Sequence, residues 1–186
     1  LGIFGVFSHR FDLTKEKRYT LSDATVETLK SVKEPLTVEV YLEGDFPASF
    51  KQLQNETQFL LEEFRKINPK IDYKFIDPIA TKMSQDTLQA MGMQPSMLPD
   101  MKDGKVSQIV LFPYAALKYK GYGTSISLIT NQMGIDAAEQ LTKSIENLEF
   151  NFASTIKSLV ADQKKNVGVL VNQDELRVDE FRSFMD

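Results

Sequence analysis

A chain of 186 residues with 42% hydrophobic and 26% charged side chains has the balance of one globular domain with a little length to spare. Its formal net charge of −4 argues against nucleic acid as a partner, because phosphates require a basic face. Cysteine is absent, which removes disulfides, thiolate nucleophiles and zinc–thiolate sites together and fits cytoplasm and periplasm equally.

The chain starts with an apolar stump, Leu1 to Phe7, too short to cross a bilayer, which takes about 20 residues, and too short for a signal peptide. The charged run Arg10 to Ser22 follows. Oily residues, then charges, then a folded body is the order of a domain just outside a membrane whose anchor precedes it. A disordered tail with a few chance hydrophobics is the alternative.

Ser22 reads as a helix N-cap, with Asp23 at the positive end of the dipole and Leu21 stapled to Val26. Val26, Leu29 and Val32 then share a face, and Pro35 ends the segment. Thr37 to Leu42 alternates as a strand does. Beyond the loop Gly44-Asp45-Phe46-Pro47, the three-and-four spacing of Phe50, Leu53, Thr57, Leu60, Leu61, Phe64 and Ile67 predicts a strong helix. Ser49 with Gln52 fits a capping box, and Asn68-Pro69 is its stop.

Ile71 to Ile76 reads as a second strand, and Ser84 caps a short helix ending at Gly92. A loop with Pro95 and Pro99 is expected next, then a turn at Asp103-Gly104 into an extended run from Val106 to Phe112. Ala115 to Tyr119 is expected to continue that run past a bulge or edge at Pro113, and Thr124 to Ile129 to return antiparallel after a turn between Gly121 and Gly123. Asp136 and Glu139 form a capping box for one helix over residues 137–161, which would be about 38 Å long. Lys164-Lys165-Asn166 makes a hydrophilic break, after which Val167 to Val171 reads as a buried-type strand and Val178 to Met185 as an amphipathic helix.

The expected organisation is therefore a lead segment (1–21), an α/β domain (22–163) and the opening βα unit of a second α/β domain, cut short (164–186). The order strand-helix-strand-helix-strand-strand-helix is similar to a thioredoxin-like βαβαββα core. Enzymes of that fold carry a nucleophilic Cys after the first strand, where this chain has Glu43-Gly44-Asp45-Phe46-Pro47.

Candidate chemistry is sparse. His9, the one histidine, lies in the lead and reads as a solvated tail residue. No phosphate-binding glycine loop and no calcium loop occurs. Glu62-Glu63 and Asp174-Glu175 are adjacent carboxylates expected to face water. Met83, Met91, Met93, Met97 and Met101 crowd one stretch; thioethers can hold Cu(I), line an adaptable docking surface, or fill a core, and core filling is the first expectation. Tyr114 to Tyr122 interleaves aromatics with Lys, as a stacking platform for sugar or single strands would, but also as a strand with lysines guarding its edge would. No catalytic, cofactor-binding or metal residue is expected, and no binding residue is assigned.

The motif from Arg10 to Ser22 resembles the start of the extracytoplasmic part of the GldG proteins, components of gliding-motility-associated ABC transporters. Tyr41 to Pro47, Phe112 to Ala115 and Ser144 to Phe150 resemble further motifs of that family, and the similarity extends over essentially the whole chain. A "GHGE"-like turn of many relatives is here Asn172-Gln173-Asp174-Glu175, which keeps only the final Glu. The resemblance implies a membrane-anchored subunit on the periplasmic face of the inner membrane, working with a permease and an ATPase and described as a substrate-binding or auxiliary component. It implies no catalytic residue and no cofactor.

The combined expectation is a non-enzymatic extracytoplasmic domain that docks on its transporter and on envelope proteins. A module capturing a peptide, sugar or lipid for the same transporter is the alternative. The stump, the long helix and the strand at Val167 all leave apolar surface to cover, so homodimerisation is also expected.

Overall fold

The computed structural model describes residues 20–165. The expected lead, including His9 and the motif from Arg10, and the expected strand and helix beyond residue 166 lie outside the described residues. What is described is a mixed α/β structure with two sheets.

Helix α1 (Asp23–Lys30) begins as expected, with Ser22 Oγ accepting from the Thr25 amide. Strand β1 (Leu36–Val40) follows, then helix α2 (Ala48–Ile67) and strand β2 (Ile71–Phe75), which pairs parallel to β1. The capping box at Ser49 does not form. Pro47 takes the N-cap position without a side-chain bond, its carbonyl accepts from the Phe50 and Lys51 amides, and Ser49 falls inside the first turn. At the other end the Asn68 side chain leaves α2 and donates to Leu29 O and Val32 O, tying α2 to the end of α1.

Ser84 caps α3 (Gln85–Ala90). The chain leaves that helix through Gly92 at φ +80, while Met93 N–H returns to Leu88 O. The proline-containing stretch that follows is not a loop. It is strand β3 (Ser96–Lys102), paired with β4 (Lys105–Leu111) in a separate two-stranded sheet. Asp103 and Gly104, at φ +54 and +74, make the two-residue turn. Such a turn makes Lys102 and Lys105 a hydrogen-bonded pair, so the ladder's alternation puts Pro99 and Gln108 at a pair whose backbone groups point outward. Proline, having no N–H, costs the strand nothing there.

The chain then changes sheets instead of continuing past a bulge at Pro113. Strand β5 (Tyr114–Tyr119) lies between β1 and β6 (Tyr122–Ser127), antiparallel to both, which gives the order β2-β1-β5-β6. Lys120 and Gly121, at φ +52 and +81, form the β5–β6 turn, and Gly123 sits inside β6 opposite Lys118.

The single helix expected over 137–161 is two: α4 (Ala137–Glu146), capped by Asp136 as expected, and α5 (Leu148–Lys165). Asn147 separates them, where the side chains beside the break serve the neighbouring loop. Ser144 Oγ donates to Gln140 O and accepts from the Thr130 amide, and Asn147 Nδ2 donates to Thr130 Oγ1 at 3.4 Å. α4 packs on α2, whereas α5 packs on α1, α2, β5 and β6. α5 also runs through Lys164-Lys165, where a break was expected.

One face of the four-stranded sheet carries Leu36, Val38, Val40 and Leu117 into the main core with Leu60, Leu61 and Phe64 of α2 and Phe152 and Ile156 of α5. The Phe64 and Phe152 rings meet edge to face, centroids 6.4 Å apart. The opposite face is covered at one end by a second cluster of Tyr41, Leu88, Met91, Met93, Phe112 and Ala116.

Candidate functional site

Open α/β sheets bind ligands at the carboxyl ends of their parallel strands, where loops diverge. Here β1 and β2 lead at those ends into residues 41–46 and 77–79, and β4 forms the facing wall. Between them lies a cleft of about 450 Å³. Apolar groups from Phe46, Ile79, Ile109 and Leu111 line it, together with the acidic residues Glu43, Asp45 and Asp77; no lining residue is basic.

Each of these side chains is held by its local structure. Asp77 Oδ1 accepts from the amides of Ile79 and Ala80 at 2.9 and 3.0 Å, which folds the chain back after β2. Gly44 lies against that carboxylate at φ +138, and a Cβ there would stand 3.3 Å from Asp77 Oδ2. Lys51, one turn into α2, donates to Gly44 O at 2.9 Å and stands 4.7 Å from the Phe46 ring centroid. Glu43 accepts from Gln54 Nε2 at 2.8 Å. Lys102, at the hairpin tip, reaches Asp45 at 3.2 Å, and that carboxylate raises its pKa. Glu43 to Phe46 form one wall of this cleft.

A second constellation lies on the sheet face away from the main core. Glu39 is buried in β1 and accepts from Lys118 at 3.0 Å and Tyr41 Oη at 3.0 Å, with Lys74 at 3.1 Å. Burial alone pushes a carboxyl up, but these three donors, Lys118 foremost, outweigh it and hold Glu39 below the ordinary carboxylate range. Burial, then the Glu39 charge, push Tyr41 up. Lys74 and Lys118 lie on the strands flanking β1 and Tyr41 just beyond its end, so the set closes on itself as a structural clamp.

The residues singled out in the sequence divide as follows. Met91 and Met93 are buried and Met83 packs against them, as core filling requires, while Met97 and Met101 stand exposed on β3. The five thioethers therefore do not converge. Lys118 guards no edge, since β5 is an interior strand; it serves Glu39. Tyr119 is buried and Tyr114 packs into the second cluster, so no stacking platform forms. Glu62 and Glu63 are not merely solvated: Glu62 binds Arg65 and the Tyr73 hydroxyl, and Glu63 binds Lys66. Burial and then Glu62 raise Tyr73 to about 12. Asp174 and Glu175 lie outside the described residues. Sequence reasoning missed both the cleft and the role of Glu39, whose one visible signal was a carboxylate set between Val38 and Val40. Among the described residues no group of three His, Cys, Asp or Glu side chains is placed to hold a metal ion, and no helix is long and apolar enough to cross a membrane.

Residues 15–118 match the model of a family described as a domain of unknown function, DUF7088. The chain belongs to that family. The matched span contains the whole cleft lining, together with Glu39 and Lys118. An uncharacterized protein of Borreliella burgdorferi is 25% identical over 169 residues, which are 90% of this chain and 30% of that protein. This chain thus spans less than a third of that relative's length. No solved structure matches it.

Proposed function

We propose that this chain is a non-enzymatic, extracytoplasmic docking domain of a membrane-anchored ABC transporter component of the gliding-motility type. In this reading its four-stranded sheet is a thioredoxin-like core that has exchanged the redox motif for a binding cleft. The observation that carries the reading is the cleft itself. It sits where such a core would do its chemistry, yet its walls are apolar side chains and carboxylates already bonded to neighbours, and its lining holds no cysteine, serine, threonine, lysine or histidine. The resemblance of residues 10–22 to the membrane-proximal motif of GldG proteins supplies the location, the periplasmic face of the inner membrane, and the partners, a permease and an ATPase. Self-association belongs to the same reading, since the exposed apolar side chains Met97, Met101 and Val106 favour it.

Cross-linking the intact anchored protein in cell envelopes, followed by mass spectrometry of the adducts, tests this. Permease and ATPase peptides are expected. Recovery of the protein from the cytoplasm with neither subunit defeats the proposal. The alternative, a module that captures a peptide, sugar or lipid, draws on the cleft's size, which falls in the range of small-ligand sites. Co-purification of a small molecule from the envelope, displaced by a Gly44→Val substitution that narrows the cleft, is the result that would favour it.

A further inference from the structure

The cleft's β4 wall has a property that side chains alone do not explain. Its lining includes Gln108, Ile109, Val110, Leu111 and Phe112 in unbroken succession, and no residue of β3. A strand seen face-on presents every second residue; four consecutive β4 residues, with Phe112 just beyond them, mean that β4 turns its edge to the cleft. That edge is open. β4 pairs with β3 on its other side, and the two-residue turn fixes which groups remain outward, the N–H and C=O of Val106, Gln108 and Val110. No backbone hydrogen bond from another element reaches them among the described residues.

Among the described residues, other strand edges are charged, interrupted by proline or packed by a helix. The outer edge of β2 carries Asp72 and Lys74 in ion pairs, the outer edge of β3 carries Pro99 and Lys102, and α5 packs along β6. Between Val106 and Leu111 β4 has no charged residue and no proline. Facing it across the cleft are Glu43, Asp45 and Asp77.

The geometry points to a specific occupant: an extended segment of a partner protein that joins β4 as a third strand and directs basic side chains at the carboxylates opposite. Main-chain bonds to Val106, Gln108 and Val110 supply affinity without regard to sequence. The acidic wall supplies the preference: Asp45 is already paired with Lys102, but Glu43 and Asp77 have no cationic partner among the described residues, so an acidic segment would bring like charges together there. Apolar side chains of the segment, alternating with the basic ones, find Phe46, Ile79 and Ile109. This deepens the docking reading above, on which it rests, by naming the kind of segment that docks.

Two blocked heptapeptides test it on the full 186-residue chain, one alternating valine with lysine and threonine, the other with glutamate replacing lysine. The lysine peptide is expected to shift the amide resonances of Val106, Gln108 and Val110 and to slow their exchange, and to bind at least about tenfold tighter than the glutamate peptide. Gln108→Pro removes an outward donor without touching the β3 ladder, and is expected to weaken binding roughly tenfold while the amide spectrum remains that of a folded protein. Glu43→Gln with Asp45→Asn is expected to erase most of the difference between the two peptides. Absence of binding overturns the inference. So does equal binding of both peptides, shifts confined to β2 or β6, undiminished binding by the Gln108→Pro chain, or occupation of β4 by a second copy of the protein. If the peptides fail while envelope cross-linking recovers the transporter, docking stands and this groove is excluded. If they bind while cross-linking fails, the groove stands and the transporter reading falls.

Discussion

The two β structures of this protein solve different problems. In the four-stranded sheet, Val38, Val40, Ala115 and Leu117 have no exposed surface, and even the one carboxylate in β1 is enclosed by its donors. The β3–β4 hairpin leaves Met97, Met101 and Val106 58%, 72% and 75% exposed. It rests on the main core through Leu98, Ile109 and Leu111 and on the second cluster through Val110. An isolated two-stranded ribbon is marginal in water. Stability therefore lies in the sheet and its helices, while the hairpin supplies a wall of the cleft at little benefit to folding.

The sharpest way to break that contrast is at the helix face behind the sheet. Phe64→Ala removes a buried ring from α2 and leaves Phe152 without its edge-to-face partner. A loss of about 3 to 5 kcal/mol is expected in urea denaturation, the usual cost of a large core truncation. A loss below about 1 kcal/mol would mean that the core is not centred where α2 meets α5.

Glu39→Ala comes next, with an expected loss of about 3 kcal/mol at neutral pH, because Lys118 is left largely enclosed without its counter-charge. The pH dependence has a definite sign. The folded carboxyl titrates below its ordinary value of 4.5, so the native state holds the proton less tightly than the unfolded chain. Its contribution is complete above that ordinary value and disappears as pH falls through the lowered native one. The gap in stability between the parent chain and Glu39→Ala should accordingly narrow in acid. A gap that widens in acid would reverse the assignment of Lys118 and Lys74 as the dominant partners.

Gly44→Val addresses the border between the two regions. The backbone at φ +138 is strained for any residue with a Cβ, and that Cβ would meet Asp77 at 3.3 Å. About 1 to 3 kcal/mol of destabilisation is expected, read by thermal unfolding, with amide shifts concentrated on residues 43–46 and 77–80. Shifts spread across α4 and α5 instead would show that the loop supports the fold as a whole.

The difference between the regions also explains what was legible in the sequence. Elements whose side chains alternate against a core announce themselves: Leu53, Leu60, Leu61 and Phe64 marked α2, and Ser22, Ser84 and Asp136 marked three helix starts. The hairpin has a weak pattern because half of it faces water, so Pro99 read as a loop residue, although an outward-pointing edge position tolerates it. The break at Asn147 was invisible for another reason. The apolar stripe runs through it, and the partners of Ser144 and Asn147 lie in a loop more than a dozen residues earlier. The cleft could not be read at all, since its walls come from three separated segments: the parallel pairing of β1 and β2 brings two of them together, and the hairpin of the other sheet supplies the third.

The smallest effect is the most informative about the hairpin. Met101 and Val106 are directly opposed across β3 and β4 and both are mostly exposed, so Met101→Ser with Val106→Thr should change stability by no more than about 0.5 kcal/mol. A core ribbon would behave otherwise, because losing a thioether and a methyl from a packed interface costs several times that. Threonine keeps the β-branched shape that a strand favours, so the pairing register is retained. If the double variant melts with the parent chain, the exposed apolar face is not needed to hold the protein together. If its self-association in sedimentation falls at the same time, that face is a contact surface separate from the β4 edge. A drop in stability approaching that of Phe64→Ala would instead place the hairpin inside the cooperative core and end the division of labour between the two sheets.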